Sequence, residues 1–283
     1  MWLCKSARGL RIFRSGSGTF GVDSILLVLL VTGCSSVPAM YHPNHPIPPT
    51  EVTHQLWHQV LENSVTNGRV DYPAIQSEHR FTEYLGQLDR VDPATIPTRE
   101  EQLAFWINAY NAFAILGILD GESPSPYVGW YYYFKVRGYA VGGEVVTLYD
   151  LEHAILRKQF NEPRVHFAIV CASASCPKLQ SWAFEGAQLA RQLDQVAREF
   201  VNDPSRNRFD RQRKVAYLSR IFDWFEEDFV ASAGSVQKFI ARYVQDPEVA
   251  QSLAADTYRI EFLEYDWSLN GRPPRKSEHA RAS

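Results

Sequence analysis

The sequence predicts an α+β fold: a single domain with about five mostly antiparallel strands and helices packed on one face. Two observations carry this. Helix-periodic segments crowd the front of the chain, and strand-like segments follow, separated by turns or single helices, a pattern of α+β architecture. One front segment, from Glu101 to about Leu119, is apolar nearly all round and therefore reads as a buried helix. A hydrophobic content of 45% and an aromatic content of 13% are enough to build a core around it. The formal net charge of -3 comes with no basic stripe, which argues against nucleic-acid binding.

The elements follow in order. Glu51 to Asn63 reads as a helix with Leu56, Val60 and Leu61 on one face. Asn67-Gly68 marks a turn, and Pro73 to Leu88 a second helix. Thr98-Arg99-Glu100-Glu101 forms a capping box at the start of the buried helix. Tyr132 to Tyr139 and Glu144 to Leu148 alternate in polarity around Gly142-Gly143, which predicts a β-hairpin. Asp150, as N-cap, opens a helix to Gln159. Val165 to Cys171 is a β-branched apolar run of buried-strand length. Gly186 to Asn202 is an amphipathic helix, Lys214 to Leu218 a short strand, Ile221 to Phe229 and Val236 to Val244 helices, and Tyr258 to Tyr265 a final strand. No linker interrupts residues 51–269, and the polar, basic tail 270–283 is expected to fray.

The N-terminus carries an export signal. Lys5, Arg8, Arg11 and Arg14 precede the apolar run Ile25 to Val31, and small residues lead into Cys34. The string Val31-Thr32-Gly33-Cys34 resembles the lipobox of bacterial lipoproteins. The resemblance implies that 1–33 is a signal peptide cleaved before Cys34, and that Cys34 carries lipid. The Pro-rich stretch 34–50 is then a tether to the membrane. The expected location is the bacterial cell envelope, facing the periplasm. Ser35 and Ser36 are not acidic, which favours the outer over the inner membrane.

Four strings place polar residues in apolar surroundings. Asn108 and Asn111 share one face of the buried helix. They either tie the helix to a neighbouring loop or contact a ligand, since an unpaired buried amide costs about 1–3 kcal/mol. Glu152 and His153 fall in the first turn of the next helix, where neighbours along the chain point apart and one of them can face inward. His166 lies at the start of the strand-like run, opposite in phase to Cys171. Cys171-Ala172-Ser173-Ala174-Ser175-Cys176 is a small-residue loop whose backbone can approach a ligand. Ser173 and Ser175 are candidate binding residues there. The preferred reading of the two cysteines is a disulfide closing the loop. The alternatives are a catalytic Cys176, with His153 or His166 as base and Glu152 or an Asn fixing the ring, or inert packing. Asp223 and Asp266 are placed to accept from Tyr or Trp donors. At least three of Asn108, Asn111, Glu152, His153 and His166 are expected to converge on one cavity with the Ser173–Cys176 loop at its rim. Neither a metal nor a cofactor is expected, because no Cys or His pair has ligand spacing.

Taken in order, E-Q-L-A-F-W-I-N-A-Y-N-A, L-Y-D-L-E-H-A-I-L-R, V-H-F-A-I-V-C-A-S-A-S-C-P and L-E-Y-D-W-S-L-N resemble the family known as domain of unknown function 547. The resemblance spans roughly 100–270. It implies an exported or lipid-anchored bacterial protein but no activity. Ala172 departs from the glycine common in related strings. Two functions stay open: an envelope hydrolase or acyl-transfer enzyme with a thiol–histidine site, or a non-catalytic envelope lipoprotein whose polar pocket binds a small molecule or an envelope partner.

Overall fold

The computed structural model describes residues 45–125 and 128–275. The leader and Cys34 lie outside them. From His45 the Pro-rich stretch is docked: Ile47 N–H donates to the Arg90 carbonyl, and Arg90 Nε donates to the His45 carbonyl.

Helix α1 (Gln55–Ser64) leads into β1 (Val65–Thr66) and β2 (Arg69–Asp71), joined at Asn67-Gly68. The expected second helix is two: α2 (Tyr72–Gln76) and α3 (His79–Arg90), broken at Ser77-Glu78. Glu78 restarts the helix by accepting from Arg80 N–H. Trp57 on α1 stacks on Tyr84 of α3, both fully buried.

Helix α4 (Arg99–Leu119) is the axis of the domain. The Thr98 capping box forms as predicted, with Glu101 reaching back to the Thr98 backbone. This helix is long and apolar enough to cross a membrane, but it is buried within the fold along most of its length. Its two asparagines are fully used. Asn108 accepts from Phe184 N–H at 2.9 Å and donates to the Phe184 carbonyl at 2.8 Å. Asn111 accepts from Val170 N–H at 2.8 Å and donates to the Ala168 carbonyl at 2.9 Å.

Tyr132–Val136 is not the first half of a strand. It is a π-helical turn continuing α5 (Val128–Tyr131). The hairpin proper is shorter: β3 (Gly138–Val141) and β4 (Glu144–Thr147), turning at Gly142-Gly143. Both glycines have positive φ, 61° and 78°, which a primed two-residue turn requires. The next helix begins earlier than expected, because Thr147 and not Asp150 is the N-cap. Asp150 is the third residue of that capping box. The helix runs through α6 (Leu148–Asp150), a π-helical segment (Leu151–Leu156) and α7 (Arg157–Phe160).

Val165–Cys171 does not form a strand. Pro163–Phe167 is a 3-10 helix, so the alternating phase assigned to His166 and Cys171 does not apply. Proline at the first helical turn, with Glu162 capping Arg164 N–H, starts that helix. Phe167 then anchors it, stacking on Phe200 and Phe229. Helices α8 (Leu189–Val201), α9 (Ile221–Trp224), α10 (Glu226–Ala233) and α11 (Val236–Ala241) surround this aromatic cluster. A further helix, α12 (Pro247–Ala254), was not anticipated; Asp246 caps it.

The α+β class holds, and the strands are divided among three small sheets rather than joined in one. Beside the hairpin, β5 (Arg208–Asp210), β6 (Val215–Leu218) and β7 (Arg259–Phe262) form a second sheet, with β6 and β7 parallel. In the third, β8 (Gly271–Arg272) pairs in parallel with β2. The segment expected to fray from Asn270 is therefore paired at its start. Asn270 itself accepts from the buried Tyr72 hydroxyl.

Replacing Asn111 by Ala would strand Val170 N–H and the Ala168 carbonyl in the core. At about 1–3 kcal/mol for each orphaned group, a loss of about 2–5 kcal/mol is expected in urea unfolding. A loss below about 1 kcal/mol would show that the helix does not depend on this tie.

Candidate functional site

The π-helical segment Leu151–Leu156 sets the site. Arg157 N–H bonds back to the Glu152 carbonyl, five residues earlier, so the turn is widened by one residue. π-turns of this kind recur at functional positions. The widening brings Glu152, one π-turn before Arg157, within electrostatic reach of the guanidinium. His153 remains four residues before Arg157 and on its face. Glu152 points inward and is 9% exposed; His153 is half-buried.

Arg157 is the hub. Its Nε and Nη2 donate to the two oxygens of Asp228, at 2.6 and 3.0 Å, in a bidentate fork. Nη1 donates to His153 Nδ1 at 2.8 Å. The other partner of Asp228 is His166, whose Nε2 donates to Oδ2 at 2.7 Å. The guanidinium lies over Phe225, and Phe225 stacks on His166 with ring centroids 4.0 Å apart. His166 Nδ1 is buried with no hydrogen-bond partner.

The charges follow from burial and these partners. Burial, helped by the nearby Arg157 guanidinium, lowers the pKa of His153 to about 4, so the ring is neutral at pH 7. Burial also lowers the pKa of His166 against the opposing pull of Asp228. For Asp228 burial opposes ionisation, but the hydrogen bonds and charges of His166 and Arg157 outweigh it and hold the carboxyl well below the usual range. Glu152 goes the other way. Burial raises it to about 7, with Arg157 pulling down and Asp228 pushing up. A buried carboxyl poised near neutrality beside a cation marks a functional candidate.

Cys171 and Cys176 are disulfide-linked, with Cα atoms 6.3 Å apart. The preferred reading of this pair is therefore the one observed. The loop is held from three sides. Ser173 bridges to Leu269, Ser175 Oγ accepts from Asp266 N–H, and Arg206 donates to the carbonyls of Ala174 and Cys176. Ser173, 1% exposed, donates to the Tyr265 hydroxyl at 3.0 Å. Burial pushes the Tyr265 phenol up, against the lowering effect of Ser173. It keeps its proton and stands as a donor 3.2 Å from Cys176 Sγ. Ala172 adopts φ +64°, the left-handed conformation a glycine would favour, at a cost of about 1–2 kcal/mol. Its methyl is buried, which returns about 0.8 kcal/mol.

Of the five residues expected to converge on one cavity at the loop, His153 and His166 are linked through Arg157 and Asp228 and Glu152 lies within electrostatic reach of both, but none of the five lines the cavity beside the loop. Asn108 and Asn111 do not join the cluster: their amides are spent on backbone. The loop adjoins the cluster through Tyr265, which senses the charge of Glu152. Neither histidine hydrogen-bonds a cysteine sulfur. Ser173, Cys176 and Arg206 instead border a separate cavity of about 290 Å³, also lined by Arg69, Lys178 and Asn270. Asp223 pairs with Arg220, and Asp266 accepts from Ser268 N–H; neither serves a Tyr or Trp. Among the described residues, no group of three His, Cys, Asp or Glu is placed to hold a metal ion.

Sequence reasoning passed over Arg157, Asp228, Arg206 and the role of the Tyr265 hydroxyl. Arg157 had a signal, its four-residue spacing from His153. Asp228 had none, because it sits in the acidic run Glu226-Glu227-Asp228, where the first turn of a helix favours acids anyway.

Between its ordinary value of 4.5 and about 7, Glu152 is neutral in the folded chain and ionised in the unfolded one. The folded state then holds the extra proton, so stability falls as pH rises through that window and stays reduced above it. Glu152→Gln removes the effect. It should match the parent below pH 4.5 and exceed it by up to about 3 kcal/mol above pH 7. The slopes from His153 and His166 have the opposite sign and cancel in the comparison. Unfolding free energies at pH 4.5 and pH 8 test this; a difference independent of pH contradicts it.

No curated protein and no solved structure matches the chain. Residues 94–201 match the model of the family described as protein of unknown function, DUF547. That segment holds α4 with its two asparagines, the π-helical Glu152-His153 turn, Arg157, His166 and the disulfide loop. Over residues 94–201 the chain is similar to the DUF547 family.

Proposed function

We propose that the chain is a lipid-anchored protein of the bacterial envelope, tethered through Cys34 and facing the periplasm, most simply from the outer membrane. Its disulfide-closed loop walls a polar cleft that takes a small molecule or an envelope partner. Among the described residues no free thiol is present at rest.

The Cys171–Cys176 disulfide carries this reading. A neighbouring pair of this kind persists in oxidising compartments and is rare in the cytoplasm, which agrees with the export signal. A thiol–histidine hydrolase or acyltransferase needs a thiolate with an imidazole on it. Here both sulfurs are bonded to each other, and both imidazoles are engaged by Arg157 and Asp228. That arrangement favours the binding role over the enzyme.

The test is peptide mapping of unreduced protein taken from the envelope fraction of a bacterial host. A Cys171–Cys176 linked peptide should dominate. Cys34→Ser should abolish the lipid mass and release the protein from membranes. A reduced Cys176 that alkylates much faster than free cysteine would overturn the binding reading in favour of the enzyme. Membrane-bound, lipid-modified Cys34→Ser protein would overturn the anchor.

A further inference from the structure

The two sulfurs of the disulfide are not equivalent. Cys171 is half-buried, and Cys176 is 3% exposed. Cys176 Sγ accepts from the Cys171 N–H at 3.0 Å. The Ser173 and Tyr265 hydroxyls lie 3.3 and 3.2 Å from it and 3.2 and 3.4 Å from Cys171 Sγ, so they border both sulfurs; exposure and the Cys171 N–H are what set the two apart. Arg206 adds a fixed cation, donating to the Cys176 carbonyl through Nε and Nη2 at 2.9 and 2.7 Å. A disulfide sulfur is a weak acceptor, so the single Ser173 proton rests on the Tyr265 hydroxyl and the sulfur gains little from its surroundings. A thiolate gains much, since hydrogen bonds to an ion are about twice as strong.

We propose that Cys171–Cys176 is a thiol–disulfide exchange site, attacked at Cys171 by a dithiol reductant and built to release Cys176 as a stabilised thiolate. The reductant's first thiolate forms a bond to Cys171 Sγ, and the Cys171–Cys176 bond breaks. Its electron pair goes to Cys176 Sγ, where the Cys171 N–H and the Tyr265 hydroxyl receive the charge and the Ser173 hydroxyl turns from Tyr265 to join them. The reductant's second thiolate then attacks its own sulfur in the mixed disulfide, closing a ring and expelling Cys171 as a thiolate that takes a proton from water. The reductant loses two electrons and the protein disulfide gains them. A better-stabilised leaving thiol departs faster and favours the reduced pair. The proposal rests on the disulfide and its surroundings, not on the lipid anchor or the cleft.

The experiment uses the full chain with Cys4→Ser and Cys34→Ser, leaving two thiols, equilibrated in native buffer with equimolar oxidised and reduced dithiothreitol. Alkylation and mass measurement count the reduced pair. The reduced form should exceed the oxidised form about tenfold. Tyr265→Phe and Ser173→Ala, each with unfolding checked, should each shift the balance about tenfold toward the disulfide. Should either variant fail to fold, the parent compared with and without urea serves instead: the folded pair should be the more reduced by about tenfold. Oxidised glutathione should modify Cys171 in Cys176→Ser and spare Cys176 in Cys171→Ser. A pair that stays oxidised until the chain unfolds, or a balance unmoved by both hydroxyl variants, overturns the proposal. Preferential modification of Cys176 overturns the assigned direction of attack. These outcomes leave the lipid and linked-peptide results standing, so failure here and failure of the binding reading are distinct.

Discussion

Two side-chain amides on α4 hold this domain in register. Asn111 bonds the carbonyl of Ala168 and the N–H of Val170, on either side of Ile169. A strand residue in a parallel ladder takes those same two groups from its neighbour. Asn108 bonds both the N–H and the carbonyl of Phe184, the exchange seen in an antiparallel pair. The helix thus offers two irregular segments the hydrogen bonds that a sheet would otherwise supply. Buried backbone without such partners costs too much to persist. The loop that follows Val170 begins with Cys171, so the position of the disulfide depends on the Asn111 tie. In the other direction along the same segment lie Phe167 and His166.

This explains which parts of the fold were legible in the sequence. Local signals survived: the Thr98 capping box, the Gly142-Gly143 turn, the apolar all-round pattern of α4, and the pairing of two close cysteines. The two asparagines were also legible as ties, because Asn is a poor choice inside a helix unless its amide is used. Val165–Cys171 misled because a β-branched apolar run shows burial, not backbone shape. The partner that decided its conformation sits more than fifty residues away on α4. Tyr132–Val136 misled differently: Phe134 and Val136 alternate with Lys135 and Arg137 in sequence, but the π-turn buries the adjacent Tyr133 and Phe134 and leaves Val136 exposed. Of the site, the inward polar residues were legible singly. Their network was not, because Arg157–Asp228 joins elements 71 residues apart.

The cluster is a case where burial and pairing pull against each other. Asp228 is ionised because a bidentate guanidinium and an imidazole meet it directly. Glu152 shares the same guanidinium only at a distance and has no direct donor of its own, so burial decides its state. Two carboxyls near one cation cannot both be fully compensated, and geometry selects Asp228. The π-turn is the local device behind this choice. It turns Glu152 inward toward Tyr110 and Tyr265 while leaving His153 on the Arg157 face.

Tyr265 joins the two halves of the site. Its hydroxyl reaches Ser173 and Cys176, and its ring packs against both Trp224 and Trp267, which also stack on each other. On its other side it senses Glu152. The electrostatic consequence is direct. Negative charge on Cys176 and negative charge on Glu152 would both load the surroundings of one phenol in a site with little water to screen them. The neutral form of Glu152 is therefore the one compatible with charge at the loop, and its pKa near 7 makes that form available at ordinary pH. The carboxyl that burial leaves unpaired and the disulfide that the Cys171 N–H and the Tyr265 hydroxyl donate to are thus coupled electrostatically through Tyr265.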